Sequence, residues 1–153
     1  MSEASGLEEL YRSQGPVIWR ALLAYSGDRD VADDALDEAF AQALARGNAI
    51  RDPLRWIWRV AFRVAAGELK DRRSRGELVD VDPGVPFLEP LTHVFAALER
   101  LSPNQRLAIV LHDYADRPVS EVAATMGATR ATVYVHLSQG RRRLRALLED
   151  DDA

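Results

Sequence analysis

The chain has 153 residues, of which 47% are hydrophobic and 29% charged, with no cysteine and a formal net charge of −4. That length suits one ordinary domain or two small ones, and the composition excludes disorder throughout as well as disulfides and thiolate chemistry. No apolar run reaches the length of a membrane span, and MSEASGLEEL at the N-terminus lacks the basic and apolar regions of a signal peptide, so a soluble cytoplasmic protein without membrane insertion is expected.

The first fifty residues carry nine acids against four bases. Leu7 to Ala24 shows a broken helical period, interrupted at Gly15-Pro16, and predicts one helix or two. Ser26-Gly27-Asp28-Arg29-Asp30 has turn and cap chemistry. The next segment, VADDALDEAFAQALAR, places Val31, Ala35, Leu36, Ala39, Phe40, Ala43 and Leu44 on one apolar face, with Asp33, Asp34, Asp37 and Glu38 mostly off it. Read alone, these acids are accounted for by solvation and by their favourable place in the N-terminal half of a helix dipole.

Gly47 to Asp52 is a loop, ending in Asp52 as N-cap with Pro53 at the first helical position. The charge now reverses, with eight bases against three acids from Arg51 to Arg75. A helix to about Arg73 lines Leu54, Ile57, Trp58, Ala61, Ala65 and Leu69 along one side and Arg55, Arg59, Arg63, Lys70 and Arg73 along another. Trp56 borders the basic arc. Such a face suits a phosphate backbone with a base stacked on the ring; a tryptophan packed on a neighbouring helix under solvated arginines fits the composition equally well.

Residues 76–90 contain Gly76, Pro83, Gly84, Pro86 and Pro90, no base and no sustained period, and read as a linker. It separates a domain at 1–75 from a second at 91–150. Val85, Phe87 and Leu88 are apolar enough to dock. The helical pattern resumes at Leu91, and Ser102 caps a further helix that begins at Pro103.

Pro118 to Leu148 has the spacing of a helix-turn-helix. Ala123 allows close helix approach, Gly127 supplies a positive φ at the turn, and Thr129 caps the second helix. Val133, Leu137, Gly140 and Leu144 form its packed stripe, and Arg130, Ala131, Tyr134, Ser138, Arg141 and Arg145 project away from it. Between Arg130 and Arg145 there are five arginines and no acid, the charge pattern of a helix laid against phosphates. The fold class is therefore all-α, in two small helical domains.

Catalytic parts are missing. His93, His112 and His136 are far apart, no glycine-rich phosphate loop or nucleophile elbow occurs, and the acidic set has no histidine-bearing partner motif. Neither an enzyme, a metal site, a cofactor nor a small-molecule substrate is expected.

Together these residues resemble the extracytoplasmic-function group of RNA polymerase sigma factors in the sigma-70 family. LERLSPNQRLAIVLHDYADRPVSEVAATMGATRATVYVHLSQGRRRLRALL is similar to region four; SGDRDVADDALDEAFAQALA and DPLRWIWRVAFRVAAGELKDRRSR are similar to the polymerase-binding and promoter-melting parts of region two. The resemblance implies that Asp33, Asp34, Asp37, Glu38 and Phe40 bind core RNA polymerase, in place of the solvated-face reading. It implies that Asn48, Ile50 and Arg51 capture a flipped base of the minus-ten element, with Arg55, Trp56, Arg59 and Arg63 gripping the opened strand. It assigns the minus-thirty-five element of promoter DNA to Arg130, Ala131, Thr132, Tyr134 and Val135, with Arg141 and Arg145 on phosphates. An anti-sigma factor is a partner that the family often has. The chain departs from the family's pattern at Ala61-Phe62-Arg63, where Ala-Arg-Asn is usual, at Leu44, where tryptophan is common, and at Tyr134, where a base is frequent. The alternatives to a sigma subunit are an ordinary helix-turn-helix regulator and a sigma-like protein-interaction module.

Overall fold

The computed structural model describes residues 3–76 and 92–151, and every regular element among them is helical. The chain divides into two compact units between Val79 and Asp80. Residues 77–91, which hold almost all of the expected linker with Val85, Phe87 and Leu88, lie outside the described residues.

The first unit is three long helices: α1 (Glu3–Ser26), α2 (Arg29–Arg46) and α3 (Pro53–Ser74). All three pack pairwise around Ile18 and Leu22 of α1, Val31, Ala35 and Ala39 of α2, and Ile57, Ala61, Phe62 and Ala65 of α3. The expected interruption at Gly15-Pro16 does not occur, because α1 runs through Pro16 without a break. An interior proline costs about 3 kcal/mol. Here burial of Ile18, Ala21 and Leu22 against two other helices offsets that cost.

Caps fix the ends. The Val31 N–H donates to Asp28 at 3.1 Å and the Arg55 N–H donates to Asp52 at 3.2 Å, so each aspartate satisfies a donor that its helix leaves open. Gly27, at φ 68, lets α1 hand over to α2 within two residues. Between α2 and α3 the chain makes a short 3-10 turn, Gly47–Ala49. Phe62 is fully buried, stacked on Trp58 at 6.0 Å and tilted against Tyr25 at 5.6 Å, so the apolar side of α3 is broader than the expected stripe.

The second unit contains α4 (Thr92–Glu99), α5 (Pro103–Ile109), α6 (Val119–Met126) and α7 (Arg130–Asp151). Ser102 and Gln105 form a reciprocal capping box at the start of α5. Directly after Ile109 the backbone widens into a π-helical turn at Val110–Tyr114. The bonds Ala115 N–H to Val110 O and Arg117 N–H to Leu111 O close it, at 2.9 and 2.8 Å. The helix-turn-helix forms as its spacing implies: Gly127 adopts φ 67 and ψ 37, and the Thr132 N–H donates to Thr129 Oγ1 at 3.1 Å. Gly140 lets α7 approach α5 closely, since a Cβ there would stand 2.7 Å from Ile109 Cδ1 and 3.3 Å from Gln105 Cβ. Val133 and Leu137 bury beside it.

Candidate nucleic-acid interface

Within the first unit, α3 carries its basic residues on the side away from the core. Arg55 and Arg63 are exposed, while Arg59 and Trp56 are half-buried. Trp56, Arg59 and Arg63 line a concavity of about 450 Å³ together with Gln42 and Arg46 at the end of α2. The Arg46 guanidinium lies over the Trp56 ring, 5.7 Å from its centroid, a cation–π contact. Arg46 is a residue that sequence reasoning missed, because only the packing of α2 on α3 brings it to the tryptophan. Arg59 Nε is buried with no hydrogen-bond partner among the described residues. The ring that packs in the core is Trp58; Trp56 is half-buried, lines the basic hollow and also meets Arg46 of the neighbouring helix.

A second pocket, of about 410 Å³, lies under the loop between α2 and α3 and is lined by Leu7, Leu10, Ala43, Asn48, Ile50 and Arg51 among others. Leu7, Leu10 and Ile50 give it apolar wall; Asn48 and Arg51 are exposed polar groups of the same loop. Such a mixture suits a flat aromatic ring with polar edges.

The acidic face of α2 separates into two pairs. Asp33 accepts from the Trp19 indole at 2.8 Å and Glu38 accepts from Gln42 at 2.8 Å, so both are tied within the unit. Asp34 and Asp37 are exposed and make no hydrogen bond or ion pair to a described residue. Beside them Phe40 meets Tyr11 edge-on at 5.0 Å, and Leu44 is 59% exposed.

In the second unit, Arg130, Ala131, Thr132, Tyr134, Val135 and Arg145 are all exposed on α7. Thr132 is also committed locally, its hydroxyl 3.0 Å from that of Thr129 within the cap. Arg141 is held by Asp113: Nε donates to Oδ2 at 2.8 Å and Nη2 to Oδ1 at 2.6 Å. That hydrogen bond is the main reason why the Arg141 guanidinium holds its proton more tightly than an ordinary arginine. No group of three residues able to hold a metal ion occurs among the described residues, and no helix there is long and apolar enough to cross a membrane.

Residues 94–144 match the family model described as sigma-70, region 4. Over 132 residues the chain is 31% identical to the ECF RNA polymerase sigma factor SigJ of Mycobacterium tuberculosis, covering 75% of this chain and 42% of that protein. Over 163 residues it is 28% identical to SigL of the same species, covering 97% of this chain and 92% of that protein. This chain belongs to the extracytoplasmic-function sigma factors of the sigma-70 family. The fold agrees. The sigma factor RpoE from Bartonella quintana, solved in complex with the anti-sigma factor NepR, superposes with a TM-score of 0.76 at 22% identity, over 93% of this chain and 95% of that one. CnrH, solved in complex with the cytosolic domain of CnrY, gives 0.72 at 22% identity, over 97% and 90%. Within this sigma factor the region 4 match extends from α4 into α7, and so contains both Asp113 and Arg141.

Proposed function

We infer that this sigma factor binds core RNA polymerase, recognises promoter DNA and assists its melting for transcription initiation, as a non-enzymatic cytoplasmic subunit. The observation that carries the reading is the region 4 match on a helix-turn-helix, in a chain whose other unit pairs an acidic helix face with a basic, tryptophan-lined one.

Residues 1–75 act as the core-binding and minus-ten domain, and residues 91–150 as the minus-thirty-five domain. On α2, Asp34 and Asp37 supply charge to a basic polymerase surface, because neither is committed to an internal partner; Asp33, Glu38 and Phe40 extend the contact. The pocket under the loop takes an unstacked base, with Asn48, Ile50 and Arg51 at its polar and apolar edges. Arg55, Arg59 and Arg63 hold strand phosphates, and Trp56 stacks on a base once Arg46 moves off its ring. Arg130 and Thr132 at the start of α7 reach polar groups, Ala131, Tyr134 and Val135 meet apolar base edges or groove walls, and Arg141 and Arg145 contact phosphates. An anti-sigma factor is a further partner in this reading.

Assembly with purified core polymerase tests it. Wild type is expected to co-migrate with core, and Asp34→Arg/Asp37→Arg to lose that association while keeping its helical circular dichroism. Sequence-selective DNA binding by a chain that never associates with core would instead make it an ordinary helix-turn-helix regulator.

A further inference from the structure

The contact between Asp113 and Arg141 is unusual among the groups on α7. Arg130, Arg142, Arg143 and Arg145 make no ion pair to a described residue, whereas Arg141 makes a bidentate one to a carboxylate 28 residues earlier in the chain. Asp113 lies inside the π-helical turn Val110–Tyr114. Such turns are rare, re-aim the side chains they contain, and concentrate at functional sites. Both side chains are at the surface, 47% and 34% exposed, so solvent screens the pair and leaves it weak enough to exchange. The two hydrogen bonds use Nε and Nη2, which leaves Nη1 open to a second anion.

We propose that Asp113 is a specificity-determining residue: it withdraws the charge of Arg141 from the DNA-facing side of α7, and only a phosphate held in the correct register by the base-reading residues displaces or shares that guanidinium. The inference rests on the sigma-factor reading, in which α7 meets duplex DNA. Asp113 thereby lowers affinity for non-promoter duplex more than for promoter, and its effect is electrostatic, so it is read in the salt dependence.

The experiment uses the full chain assembled with core polymerase, titrated from 50 to 200 mM salt against a promoter duplex and a non-promoter duplex of equal length. Asp113→Asn is expected to raise non-promoter affinity at low salt and to steepen its salt slope by about 0.9, the value for one added phosphate contact, so that affinity falls about threefold further than wild type over that range. Arg141→Ala in the same background is expected to abolish the added slope. Glu149→Gln, which removes an exposed acid on the same helix without touching Arg141, is expected to leave slope and promoter preference as in wild type. An unchanged slope in Asp113→Asn, an equal change in Glu149→Gln, or a gain that survives loss of Arg141 would each overturn the inference. Failure of the wild-type assembly to prefer promoter over non-promoter duplex would overturn the sigma-factor reading and this inference with it.

Discussion

Helices α3 and α7 invite comparison, since each is 22 residues long, each lays arginines along one side, and each ties one arginine to an aspartate. Their surroundings differ. On α3, Arg72 reaches Asp28 at 2.7 Å and Glu68 at 3.0 Å with its side chain only 19% exposed, and Asp28 is at the same time the N-cap of α2. On α7, Arg141 and its aspartate stand half in solvent. The same pair of residue types is therefore a structural clip in the first unit and an exchangeable contact in the second. Burial, more than distance, separates the two roles.

The largest effect expected from this contrast is on packing. α3 is covered by both α1 and α2, so Phe62→Ala should destabilise the first unit by about 3–5 kcal/mol, read as an earlier unfolding transition with the second unit's transition unmoved. A loss below about 1 kcal/mol would mean that α3 is supported on one side only, with Phe62 nearer the surface than its complete burial implies.

A smaller effect concerns the aromatic ring that α3 joins to its arginines. Trp56→Ala should weaken opening of duplex promoter by about 1–3 kcal/mol, the range for one base–aromatic stack, and weaken binding to a pre-melted template much less than it weakens opening. Equal losses on both templates would return Trp56 to a packing role. Potassium permanganate footprinting of unpaired thymines separates opening from binding.

The smallest effect sharpens the clip. Burial opposes the charge on Asp28 most strongly, but the Val31 N–H and the hydrogen bond and charge of Arg72 together outweigh it and hold the carboxyl below its usual range. A carboxylate with a depressed folded value stabilises above its unfolded value of about 3.9 and loses that contribution as pH falls through the folded one. Asp28→Ala should therefore cost about 1–2 kcal/mol at neutral pH, and the gap to wild type should close below about pH 4 in urea titrations. A gap that persists at pH 2 would show that the aspartate acts through packing alone.

Much of this fold was legible because its signals are local. Asp52, Ser102 and Thr129 cap the helices their positions implied, and Gly127 takes the left-handed conformation that the turn requires. The readings that changed depend on contacts distant in sequence. Pro16 looked like a break because the helices that stabilise α1 through it lie elsewhere in the chain. Phe62 fell outside the plotted stripe because α3 is buried on two sides rather than one. No residue pattern marks the π-helical turn at Val110–Tyr114, whose backbone follows from how α5 and its extension pack. For the candidate sites, charge placement was visible in the sequence, but the partners were not. Trp19 on Asp33, Arg46 over Trp56 and Asp113 on Arg141 all join residues at least ten positions apart.

The central claim is that one chain uses its acidic helix to reach polymerase and its two basic helices to reach promoter DNA. Single-round transcription with purified core on a library of promoter-length duplexes tests it most directly. Wild type is predicted to yield sequence-selective transcripts that share two spaced elements, and Asp34→Arg/Asp37→Arg to yield none. Selective transcripts that persist in that variant would contradict the role given to α2, and no selective transcript from wild type would contradict the account as a whole.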